Sequence, residues 1–341
     1  MKKIVCLLVS GMLLASALVG CTGNQTETPT AAPTETAEPS QTPFVYEGTT
    51  FRVGALMGPT GMGMSKLMKD AQDKKTVNDY GFELFSAPTD VTGLLINGEL
   101  DLAAVPTNLA ATLYNKTKGK IRLLALNTLG VLYVMEKGDT VHSIADLEGK
   151  KLYSSGQAAT PEYALNYVLK QNNVTCEVEY FSTHAELATQ ALAGNADLIL
   201  IPEPQVSNIL TKDPAWRIAI DFNDAWDEAC DHTALFSMGC LVVNADFASA
   251  HPDALQGFLL DYAASVQYVN ENPADAAALI AEYGIVPSAG IAEKAIPNAK
   301  MVCITGAEMA EKTKTYLQIL FDSDPKSIGG AIPADDFYYE K

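Results

Sequence analysis

Residues 95–106 read LINGELDLAAVP and residues 191–202 read ALAGNADLILIP, so the pattern G-x-x-D-L-x-x-[VI]-P occurs at Gly98 and again 96 positions on, at Gly194. Each copy begins on a helical apolar pattern stopped by glycine, continues as a short apolar strand and breaks at a proline. The loops that follow are PTN at 106–108 and PEPQ at 202–205. A second pair keeps nearly the same spacing. FRVGALMGPTGMGMSKLMKDA, residues 51–71, reads as strand, glycine-rich loop and helix. KKLYSSGQAATPEYALNYVLKQN, residues 150–172, reads as strand, small-residue loop and helix, with Pro161 and Glu162 suited to a first helical turn. Gly61 and Gly156 are 95 apart. Two matched pairs at one offset mark a duplicated α/β unit.

Strands alternating with helices predict parallel sheets with helices on both faces, and in such sheets ligands sit outside the carboxyl ends of the strands. All four loops fall at carboxyl ends. The expected architecture is therefore α/β, with two Rossmann-like lobes and a ligand cleft between them. One lobe offers Gly58, Thr60, Gly61, Met62, Gly63, Thr107 and Asn108; the other offers Gly156, Gln157, Thr160, Glu203 and Gln205.

The N-terminus sets the compartment. Lys2 and Lys3 precede an apolar run from Ile4 to Val19, the pattern of a secretory signal, here residues 1–20. It closes on Leu18-Val19-Gly20-Cys21, which resembles the bacterial lipobox and predicts diacylglycerol on Cys21. The next stretch, TGNQTETPTAAPTETAEPSQTP, has no aromatic residue and no aliphatic larger than alanine. It cannot bury enough surface to offset its ordering entropy, so residues 21–43 are expected to be a disordered tether reaching up to roughly 70 Å. The chain is expected on the outer face of the cytoplasmic membrane, at the cell surface or in the periplasm. The roughly 300 residues from Phe44 suffice for two lobes with proper cores.

Composition narrows the partners. The whole chain carries a formal charge of −18, and removing residues 1–20 takes away two lysines and no acid. Such an acidic surface with no basic cluster argues against nucleic acid or anionic lipid. Beyond Cys6 and Cys21, the cysteines are Cys176, Cys230, Cys240 and Cys303, with no C-x-x-C spacing. They read as buried thiols; pairing of Cys230 with Cys240 is left open by spacing.

The opening loop, Gly58-Pro-Thr-Gly-Met-Gly63-Met-Ser65, matches the P-loop pattern except that Met64 stands where the lysine belongs. Without that lysine nothing reaches the β- and γ-phosphates, no Walker-type acid is visible, and export removes the chain from ATP. Two readings of the glycines remain. They let a backbone approach a ligand at a helix N-terminus, or they form a tight turn with Met62, Met64 and Met68 in the core. No H-E-x-x-H or G-x-S-x-G occurs, and His142, His184, His232 and His251 are scattered, reading as surface or loop residues. DFNDAWDEACD, residues 221–231, lacks the glycine of an EF-hand and reads as a solvated loop, with Trp226 a candidate cover for the cleft mouth. No metal or cofactor is called for. Arg52, Arg122 and Arg217 are the only arginines and none lies in the cleft loops, which disfavours a ligand clamped by a bidentate guanidinium. Glu203 is the one charge in those loops, as a ligand contact or a solvent-facing carboxylate. The inventory suits a small neutral, heteroaromatic or cationic ligand, or an anion held by amides alone.

The lipobox, VLYVMEKGD (131–139), SIADLEGKKLY (143–153) and AGNADLILIPEP (193–204) together resemble the type II periplasmic binding proteins of ABC importers, in particular the nitrate, sulfonate/taurine and thiamine-pyrimidine-precursor receptors. The resemblance spans about residues 50–335. It implies two crossings between lobes, with hinge residues Thr128 and Gly130 on the way out and Met238 and Gly239 on the return. Lobe 1 is then 44–128 plus 239–341 and lobe 2 is 129–238. It further implies a monomeric receptor that hands a small molecule to the transmembrane permease. The alternatives are an enzyme on the same fold, of the pyrimidine-precursor or menaquinone-pathway type, and a lipoprotein sensor. The C-terminal part is expected to be helical: 251–270, a helix from Pro273 stopped by Gly284, and one opened by a capping box at Thr305 to Glu308.

Overall fold

The computed structural model describes residues 48–340; the signal, Cys21 and the tether lie outside the described residues. The strands are β1 (Thr50–Leu56), β2 (Asp79–Phe85), β3 (Leu102–Pro106), β4 (Ile121–Leu129), β5 (Leu132–Glu136), β6 (Lys151–Ser155), β7 (Glu177–Phe181), β8 (Leu198–Pro202), β9 (Arg217–Asp221), β10 (Ser237–Asn244) and β11 (Met301–Ile304). The helices of the duplicated region are α1 (Pro59–Met62), α2 (Ser65–Gln72), α3 (Pro88–Ile96), α4 (Thr107–Thr117), α5 (Thr160–Gln171), α6 (His184–Leu192), α7 (Gln205–Lys212) and α8 (Phe222–Ala229). The C-terminal helices are α9 (Ala245–Ala250), α10 (Pro252–Glu271), α11 (Pro273–Glu282), α12 (Ala289–Ala295) and α13 (Gly306–Ser323).

Two sheets form two lobes: a six-stranded one in the order β11-β4-β10-β3-β1-β2 and a five-stranded one in the order β7-β6-β8-β5-β9. β1, β2 and β3 run parallel in the first sheet, and β6, β7 and β8 do so in the second. β10 runs antiparallel between β3 and β4, so β4 runs with β1–β3, and β5 runs antiparallel between β8 and β9, so β9 runs with β6–β8. The chain leaves the first sheet at Leu129 and enters the second at Leu132, so Gly130 lies on the connection while Thr128 is still within β4. It returns between Asp221 and Ser237; Met238 and Gly239 are already in β10, where Gly239 faces Thr128 across the ladder.

The two G-x-x-D copies fold alike but hold together differently. Gly98 and Gly194 both end their helices at positive φ, +73° and +80°, which is why glycine stands there. Asp101 is buried and accepts the Arg52 amide at 2.8 Å and its Nε at 2.9 Å, while Arg52 Nη2 reaches the other carboxylate oxygen. That carboxylate ties the turn before β3 to β1. Its counterpart Asp197 is exposed, and its main-chain oxygen accepts from Lys137 N at 2.8 Å.

Three sequence expectations are corrected. Residues 222–229 form helix α8, N-capped by Asp221, whose carboxylate accepts the Asn223 amide. Trp226 is fully buried, stacks on Phe236 at 4.9 Å and donates to the Ala234 carbonyl, so it covers no cleft mouth: its apolar face has a core to enter. Thr305 does stand at the start of α13, yet its hydroxyl makes no capping bond. Cys230 and Cys240 are both free thiols, their sulfurs turned to main-chain carbonyls. Among the described residues no helix is long and apolar enough to cross a membrane.

Candidate functional site

Antiparallel pairing puts the amino end of β10 beside the carboxyl end of β3, and the amino end of β5 beside that of β8. Both crossings and all four candidate loops therefore share one edge of each sheet. The two edges face each other and touch.

The loop after β1 divides by direction. A β-carbon on Gly61 would lie 2.2 Å from the Leu56 carbonyl oxygen, so glycine is needed there for the chain to pass its own strand. A β-carbon on Gly63 would come 3.0 Å from the Tyr262 hydroxyl, a side-chain neighbour, and Met62 and Met64 are fully buried in the core. Gly61, Met62 and Gly63 thus pack against the preceding strand and the core. Gly58 and Thr60 are the members of this loop at the edge: a β-carbon on Gly58 would come 3.7 Å from Pro204 of the other lobe, and Thr60 contributes its carbonyl to Asn127.

Thr107 and Asn108 open α4 at the centre of the first edge. The Thr107 hydroxyl shares a buried 2.8 Å hydrogen bond with Ser237 at the start of β10. Asn108 donates through Nδ2 to the Ser327 carbonyl, which turns its Oδ1 to the other lobe, where the Thr160 hydroxyl donates to it at 3.0 Å. The Tyr316 hydroxyl is buried beside Thr160. Gly156 and the exposed Gln157 form the loop before α5, and the Ala158 amide in that loop donates to Glu162.

Glu203 and Gln205 lie at the end of β8. Glu203 is 2 % exposed and is not the solvent-facing carboxylate that the sequence allowed. It accepts the Ser207 amide at 3.1 Å and hydroxyl at 2.9 Å, and Asn298 of the first lobe at 3.2 Å. Burial pushes its carboxyl above the ordinary value, against the lowering effect of those donors. Asn298 is held twice, because its main-chain oxygen also accepts from the Tyr133 hydroxyl at 3.1 Å. Gln205 is half-buried and bonds Asn208.

Sequence reasoning missed Ser237, Tyr316, Asn298 and Tyr133, since a lone polar residue in a strand or helix pattern carries no signal of what faces it. His184, read from the sequence as a surface or loop residue, is instead half-buried at the start of α6, where Nδ1 lies 2.6 Å from the Ser155 hydroxyl and burial lowers its pKa to about 4. Among the described residues no group of three or more His, Cys, Asp or Glu side chains could hold a metal ion.

The chain matches the family described as NMT1/THI5 like over residues 83–276, more than half its length. Among solved structures it is similar to an ABC transporter protein of Parabacteroides distasonis, with a TM-score of 0.74 and 25% identity over 86% of this chain and 99% of that one. It also resembles the periplasmic aliphatic sulphonate binding protein SsuA of Escherichia coli, with a TM-score of 0.68 and 15% identity over 85% and 92%. The periplasmic nitrate-binding protein NrtA of Synechocystis gives a TM-score of 0.58 and 15% identity over 85% and 84%. Comparison with curated protein sequences returns no match. The chain belongs to the NMT1/THI5-like family and has the fold of the type II periplasmic binding proteins of ABC transporters.

Proposed function

We propose that this chain is the lipid-anchored, extracytoplasmic solute receptor of an ABC importer, closing over a small polar organic ligand and delivering it to the permease as a monomer. The observation that carries this is the meeting of polar side chains from both lobes at one seam, with Asn108 and Thr160 at 3.0 Å and Glu203 and Asn298 at 3.2 Å. A ligand that bridges these groups is contacted by both lobes only when the cleft is shut, which is the differential affinity that shifts a two-state population. Lobe 1 is taken as residues 44–128 and 239–341, lobe 2 as 129–238, with bending at Thr128, Gly130, Met238 and Gly239.

An enzymatic reading has less support. Ser155 and His184 are hydrogen-bonded, but Ser155 is 1% exposed and among the described residues no carboxylate bonds the imidazole to orient it. Small-angle scattering of the full-length protein, as the small-molecule fraction of a culture extract is added, tests closure. The radius of gyration falls at saturation if the reading is right; an unchanged radius with solute bound contradicts it.

A further inference from the structure

The four helices that start on the cleft edge of the second lobe all have carboxylates of this chain on the amides at or just before their first turns. Glu162 accepts the Ala158 amide ahead of α5, and Glu186 accepts the Ser182 amide ahead of α6. Glu203 accepts the Ser207 amide in α7, and Asp221 accepts the Asn223 amide in α8. A helix N-terminus holds an anion through unsatisfied amides and its dipole. Here the chain has already supplied the anion at each one.

Glu203 sharpens the point. It is 2 % exposed, its three donors are neutral, and among the described residues no Lys or Arg pairs with it. The cations of the seam are engaged elsewhere: Lys300 bonds Asp221 at 2.9 Å and Lys294 bonds the Thr211 hydroxyl at 3.1 Å. Tyr133 and Asn298, which also face Glu203, bring no charge of their own. A buried carboxylate without a counter-charge is costly, and the cost falls when a cation reaches it. An incoming anion would meet repulsion, and the four cleft loops carry no arginine to receive it.

We propose that the cleft takes a cationic ligand, a protonated amine or amidine whose N–H groups replace the Asn298 amide at Glu203, and that it excludes sulfonates and nitrate. The proposal rests on the receptor reading above and names the class of its ligand. Glu203 is then the specificity-determining residue, acting through charge.

The test is thermal unfolding of the full-length protein, titrated with propylammonium, propanesulfonate or nitrate at equal ionic strength. Propylammonium is expected to raise the melting temperature saturably while neither anion does. Glu203→Gln is expected to weaken the half-saturating concentration of the cation about tenfold, the loss of one charge-assisted hydrogen bond. Asn298→Lys, which gives Glu203 an internal ammonium, is expected to do the same and serves if Glu203→Gln does not fold. Equal responses to both classes, a larger response to either anion, no response to the cation, or an unchanged cation preference in the variants overturns the proposal. Saturable binding of an anion would overturn the charge class and leave the receptor reading standing. Failure of the wild type to retain any solute from an extract would instead remove the receptor reading.

Discussion

At Gly61 the space for a side chain is already filled by the strand that precedes it, with 2.2 Å between a β-carbon and the Leu56 oxygen. The neighbour is main chain, so relief requires the backbone to move. Gly61→Val is expected to cost about 2–4 kcal/mol in urea unfolding; a cost under ~0.5 kcal/mol would show that the turn yields freely. His184 carries a pH signature. Its pKa falls from 6.5 to about 4 through burial, so the unfolded chain takes up the proton at a higher pH than the folded one. Stability is then lost as pH falls through that window, on the order of 2 kcal/mol by its lower end. His184→Gln removes this part, and the stability advantage of the wild type over the variant should shrink as pH drops from neutral to about 4. An advantage that stays constant with pH contradicts the assignment.

At the scale of elements, the duplicated motif makes a direct comparison. Asp101 locks β1 to the turn before β3 through Arg52, whereas the matching Asp197 is exposed. Asp101→Ala is expected to cost about 2 kcal/mol because the Arg52 main-chain and side-chain donors lose a buried acceptor. Asp197→Ala should stay within ~0.5 kcal/mol. Equal costs would mean that the motif is kept for one shared reason. The sequence made the repeated units legible because helix, glycine stop, strand and proline follow from local chemistry, and two copies confirm each other. The order of the sheets and the antiparallel insertion of β10 come from long-range pairing, which no local pattern carries. The cleft loops were legible for the same reason as the strands before them. Which way each side chain points was not: Gly61 and Met62 turn inward through a helical turn, and Trp226 is drawn into the core by Phe236 and Tyr316. Asn298, which contacts Glu203 from the far lobe, lies 95 residues away in sequence and has no motif around it.

For the whole molecule, the anchor and the cleft make separate claims. Cys21→Ser is expected to move the protein from the membrane fraction to the soluble one; retention on membranes would contradict lipid anchoring at that cysteine. Closure over a solute is the central claim, and native mass spectrometry of the full-length protein after exposure to a small-molecule extract tests it most directly. The wild type should carry one small molecule per chain, and a Thr107→Ala, Thr160→Ala double variant, which removes one hydroxyl from each lobe at the seam, should fold and lose most of it. A wild type that retains nothing, or a double variant that retains the same molecule equally well, would contradict the account.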